Sequence, residues 1–137
     1  AFSHWTPPPI AIKRYATWFF VAPAPAGAVV IDDGEIRDHF WARPDDVLRR
    51  RDRGELELAP PTWVSLDVLR RSADVASALA AAATAETERF VTHLARAEGG
   101  GVALWHGDAG YEDSDPDRPG ARHRLWMLES GWTYERT

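Results

Sequence analysis

The sequence predicts an α/β fold, and three features carry that prediction. Short aromatic and β-branched runs are bounded by proline and other turn residues. An arginine-rich segment opens on Pro44 and stops at Gly54. A longer stretch beyond Pro60 repeats apolar residues every three or four positions.

In chain order, residues 1–9 read as an extended lead-in, because Pro7, Pro8 and Pro9 fit neither a helix interior nor a central strand. Residues 13–22, rich in aromatic and β-branched side chains, read as a buried strand between Pro9 and Pro23. A turn over 23–27 and a short strand at 29–31 follow, ended by Asp32-Asp33-Gly34. Residues 36–42 read as a further strand. Pro44 then starts a short helix, with Asp45 and Asp46 suited to its positive end.

Thr62 is placed as the cap of one long helix running to about residue 84–86, with Leu66, Leu69, Ala73, Ala76, Ala80 and Ala83 on its apolar face. The next segment allows two readings. Phe90, Leu94 and Ala97 fit helical spacing, but 90–97, Gly99-Gly100-Gly101 and 102–105 also fit a hairpin, which is preferred. Residues 107–120 form a polar loop, and 122–128 with 132–136 form a closing hairpin around Glu129-Ser130-Gly131.

Composition bounds the function. At 137 residues the chain is one domain or part of one, and 45% hydrophobic residues with seven tryptophans can fill a core. A net charge of -5 argues against a broad nucleic-acid footprint. The absence of cysteine removes disulfides, zinc–thiolate sites and a thiol nucleophile. The stretch 75–85 is too short to span a bilayer and no secretory signal is visible, so a cytoplasmic home without membrane partners is expected. One lysine against fifteen arginines suggests a GC-rich bacterial source.

Local chemistry is sparse. No two of His4, His39, His93, His106 and His123 lie three or four apart, so no helix offers a paired metal face. His106 and Asp108 share a spacing of two, and two ligands do not make a site. Asp113, Asp115 and Asp117 resemble the start of a calcium loop, but Arg118 and Arg124 stand where that loop needs glycine and a bidentate glutamate. The arginine run 49–53, offset by Asp45, Asp46 and Asp52, reads as a solvated face with phosphate contact as the sharper alternative. No serine lies in a nucleophile-elbow context.

Several segments taken in order resemble the Nudix hydrolases, in a branch associated with coenzyme A substrates. They are Trp5-Thr6-Pro7 and residues 13–22; Asp33-Gly34-Glu35 with Trp41, Pro44 and Leu48; residues 58–62 leading into Leu66 and Leu69; and Arg122-His123-Arg124-Leu125 with residues 131–136. Ala16 departs from the pattern, where the family often has Asp. The resemblance implies the C-terminal portion of a Nudix-type α/β/α sandwich around a mixed sheet, with one short and one long helix, and a single partial domain over 1–137. It implies hydrolysis of a nucleoside-diphosphate-linked substrate, possible CoA or acyl-CoA esters among them, with Mg or Mn in the intact parent.

The family's metal box depends on clustered glutamates. This chain has no Glu-Glu or Arg-Glu pair, so the box is expected before Ala1 and the chain alone is expected to be inactive. Glu35 is the candidate auxiliary acid, and Arg14, Phe19 and Trp41 are candidate substrate contacts. No residue is assigned as a metal ligand. The expected partners are the missing N-terminal half or a second copy as a homodimer, with a nucleotide-type small molecule and no nucleic acid. A non-catalytic binding or interaction module on the same fold is the alternative.

Overall fold

A computed structural model describes residues 1–12, 14–31, 34, 36 and 38–137. The order of elements is β1 (Ser3–Thr6), β2 (Thr17–Phe19), α1 (Pro44–Asp52), α2 (Pro60–Leu69), α3 (Val75–Thr84), β3 (Glu88–Val91), β4 (His93–Ala97), β5 (Gly100–Leu104), β6 (His123–Leu128) and β7 (Gly131–Arg136). The fold is mixed α/β with three helices. One sheet is mixed, in the order β2-β1-β3; the other is antiparallel, in the order β4-β5-β6-β7.

The lead-in is a strand rather than plain extended chain. β1 is the central strand of the mixed sheet, antiparallel to β2 and parallel to β3. Its three prolines follow at the strand's end, where a missing N–H removes no ladder bond. Among the described residues of the expected strand over 13–22, Thr17–Phe19 form a strand, and the described residues of 29–31 and 36–42 form none. Most of their apolar side chains are exposed, Val30 at 90%, Trp41 at 73%, and Ile36 and Phe40 at 54%.

The first helix follows its sequence signals. Pro44 occupies the first turn, and Gly54, with φ +72°, lets the chain turn back so that its N–H donates to Arg51 O at 2.8 Å. The single long helix, by contrast, is two. α2 begins at Pro60 after Ala59 rather than after Thr62, and it ends at Leu69. Asp74 caps a new helix instead, its Oδ1 accepting from Ser77 N at 2.7 Å and from Ser77 Oγ at 2.6 Å. Ser72 and Asp74 favour local bonds over helix continuation. The break shifts the helical phase: Ala73, Ala76, Ala80 and Ala83 are exposed, while Ala78, Leu79 and Ala82 are half-buried.

The preferred hairpin forms between β4 and β5, but Thr92 separates it from β3. Thr92 N donates to Thr6 O at 3.2 Å, and Thr92 Oγ1 accepts from Trp105 Nε1 at 3.0 Å. The segment 90–97 therefore serves both sheets. The closing hairpin is also present, from His123 to Arg136 with Gly131 at φ +137°.

The core is aromatic where the sheets meet. Trp5 stacks on Phe90 with ring centroids 3.8 Å apart, and both meet Trp105 edge-on at 5.5 and 5.1 Å. Leu48, Trp63, Val64, Ala103 and Leu125 complete the buried cluster.

Candidate functional site

Strand alternation brings four polar groups together. Ser3 and Trp5 lie on one face of β1, and register sets them beside Glu88 and Phe90 of β3. Tyr134 and Arg136, two residues apart on β7, share a face by the same alternation. Glu88 and Arg136 form an ion pair. The Arg71 guanidinium lies 5.9 Å from the Tyr134 ring centre.

These groups border a cavity of about 300 Å³ between the mixed sheet, α2 and α3. Trp5, Phe90, Val64 and Leu69 supply apolar wall, and Ala78 and Ala82 supply the α3 side. Ser3, Arg71, Glu88, Tyr134 and Arg136 supply polar wall.

His123 lies behind the polar end and is 4% exposed. Its Nδ1 is 2.8 Å from His106 O, which places the proton on Nδ1; Nε2 then accepts from Arg136 Nη1 at 3.3 Å. Burial lowers its pKa and Arg136 adds to that, so the imidazole favours its neutral form. Burial also raises the Tyr134 pKa, which keeps that hydroxyl protonated.

A second polar centre is structural. Arg124 and Asp108 have fully buried side chains. Arg124 Nε donates to Asp108 Oδ2 at 2.7 Å and Nη2 to Oδ1 at 2.6 Å. Gly110 N and His123 N donate to the same carboxylate at 2.8 and 2.9 Å. Burial alone would raise the Asp108 pKa, but the bonds from Arg124, His123 N and Gly110 N outweigh it and hold the value at about 2. Arg124 also donates to Pro116 O, closing the loop 107–120.

This commitment leaves Asp108 no lone pairs for the metal pairing with His106. The nearby acidic loop is likewise engaged, with Asp113 paired to Arg118 at 2.5 Å and Asp115 accepting from Asp117 N at 3.0 Å. Among the described residues no group of three or more His, Asp or Glu could hold a metal ion. The described residues thus hold no donor set that fits the Mg or Mn implied by the resemblance. The arginine run is locally paired, through Arg50–Glu55 at 3.3 Å and Arg53–Glu55 at 2.5 Å.

Of the candidate residues from the sequence, Arg14, Phe19 and Trp41 do not line the cavity. Arg14 donates from Nε and Nη2 to Pro7 O at 3.2 and 3.0 Å. Phe19 packs edge-on to Trp5 at 6.4 Å. Trp41 is 73% exposed. No hydrogen bond or ring contact joins the three, and Glu35 lies outside the described residues. The polar groups of the cavity were missed by the sequence reading. The alternating Tyr134 and Arg136 were the available signal, but their meeting with Ser3 and Glu88 depends on long-range register.

No helix among the described residues is long and apolar enough to cross a membrane. Comparison with protein-family models, with curated proteins and with solved structures gives no match to this chain.

Proposed function

We propose that this chain is the substrate-side portion of a bacterial Nudix-type hydrolase acting on a nucleoside-diphosphate-linked substrate, with coenzyme A or its acyl esters as the first candidates. The metal-binding box is supplied by residues outside this chain, and catalysis requires both parts. The observation that carries this reading is the state of segment 10–41. It holds much of the family-like pattern, yet Tyr15, Phe20 and Trp41 are 70%, 71% and 73% exposed. An apolar surface of that kind fits a face made to lie against further protein. Arg14, Phe19 and Trp41 then border the substrate, and Glu35 assists as an auxiliary acid.

The test is hydrolysis by the product of the complete reading frame against residues 1–137 alone, using coenzyme A, an acyl-CoA and ADP-ribose with Mg²⁺ or Mn²⁺. The complete product should release nucleoside monophosphate and 1–137 should not. A reading frame without an upstream glutamate-rich box, or an inactive complete product, overturns the proposal.

A non-catalytic binding module is the second reading. It is favoured by the cavity, which joins an apolar wall to a polar one.

A further inference from the structure

α3 is the most apolar helix by sequence, VASALAAAAT, and yet no residue of it is buried. A helix that gains so little from packing is stabilised by what its apolar face covers. Here Ala78 and Ala82 border the cavity, and Trp5 and Phe90 border it too. Alanine and aromatic side chains together give it a largely apolar lining. At about 30 Å³ per non-hydrogen atom, a cavity of about 300 Å³ holds roughly ten such atoms.

The polar end has unspent donors. Ser3 is 1% exposed and borders the cavity; its Oγ accepts from Trp5 Nε1 at 2.9 Å, and its own proton has no acceptor among the described residues. Tyr134 borders the cavity and keeps its hydroxyl proton, because burial raises its pKa. Arg71 donates to Asp67 Oδ2 at 2.5 Å through one nitrogen, which leaves most of its five N–H groups available. Of the two acids that border the cavity, Glu88 is bound to Arg136, and Glu86 lies exposed, screened by solvent. The polar end of the cavity therefore offers donors to an incoming acceptor, and arginine's fork matches a carboxylate.

We infer that this cavity binds a small aliphatic carboxylate of about ten non-hydrogen atoms, its chain against the apolar lining and its head group at Ser3, Tyr134 and Arg71. This site is independent of the Nudix reading. It needs no metal and no residue from outside the chain.

Octanoate is the probe, titrated into the 137-residue chain by calorimetry and by protein-observed NMR, with octan-1-ol, octylammonium and acetate beside it. Octanoate should bind saturably with a dissociation constant of about 10⁻⁴ M or tighter. Octanol and acetate should bind at least tenfold more weakly, and octylammonium should not bind. Arg71→Gln should weaken octanoate at least tenfold while leaving octanol unchanged; Asp67 keeps Arg70 as partner at 2.7 Å, so the fold has a remaining tie there. Ser3→Ala should weaken octanoate severalfold. Ala82→Phe should fill the cavity, abolish binding and raise the Tm. Absence of saturable octanoate binding overturns the inference, as does equal binding of octylammonium or an Arg71→Gln variant with unchanged affinity. Failure of the diphosphate assay would leave this result untouched.

Discussion

The antiparallel sheet and the segment 10–41 divide the chain's hydrophobic residues in opposite ways. In β5 and β6, Val102, Ala103, Leu104 and Leu125 are fully buried, and a buried Arg124–Asp108 pair locks the adjoining loop. In 10–41 the apolar side chains are of similar size and mostly lie in solvent, with Ile12 fully exposed and Val30 at 90%. Composition does not explain the contrast; pairing does. Each strand from β4 to β7 has a neighbour close in sequence, joined by a short turn or by a loop pinned to Arg124. Among the described residues of segment 10–41, the three residues of β2 form the one strand, paired to β1. An apolar run buries itself only where some other backbone offers it a ladder and a face.

The largest expected effect tests the stronger half. Arg124→Ala leaves the Asp108 carboxylate buried without its main partner, and such a change costs roughly 3–5 kcal/mol. Chemical denaturation followed by tryptophan fluorescence measures it. A loss under about 1 kcal/mol would mean that the loop 107–120 is held by its backbone bonds instead.

Acid should act on the same half, with a smaller effect. The Asp108 carboxyl is held at about 2 against 3.8 in an unperturbed chain, a difference worth roughly 2 kcal/mol. A depressed folded pKa gives stability that is present above pH 3.8 and lost as the pH falls towards 2. His123 has a lowered pKa for a different reason, burial first and Arg136 after it. Its ordinary value is 6.5, and the neutral ring is the one the fold accepts, so stability also declines as the pH drops below 6.5. Thermal unfolding at steps from pH 8 to 2.5 should show two declines, and Asp108→Asn should remove the lower one. A flat profile would contradict both assignments.

The two halves also differ in how far the sequence discloses them. α1 was readable because its stop and start are local: Pro44 fits a first turn and Gly54 a left-handed exit. The β6–β7 hairpin was readable for the same reason, from Glu129-Ser130-Gly131. β1 was hidden, since all four of its residues find their ladder partners in Glu88–Val91, far along the chain, with β2 on the other side. The helix break at residues 70–74 was partly visible in Ser72 and Asp74, but the alanine periodicity masked it by continuing through. The cavity's polar end was not visible at all. Ser3, Glu88, Tyr134 and Arg71 come from four separated places, and no local pattern links a serine in one strand to an arginine beyond a helix.

The smallest effect is the most discriminating. Trp41→Ser in residues 1–137 removes a side chain that is 73% exposed and should change stability by no more than about 0.5 kcal/mol. In the complete reading-frame product the outcome should differ. If segment 10–41 lies against further protein there, the same substitution removes a buried aromatic group and costs several-fold more, up to about 3–5 kcal/mol for a tryptophan lost from a packed site. Paired unfolding curves of the two lengths, each with and without the substitution, give the difference directly. Equal and small effects in both would place Trp41 on an open surface and remove the main support for a covering partner. A large effect in 1–137 alone would mean that the segment already packs on its own chain, and the contrast between the two halves would be one of degree.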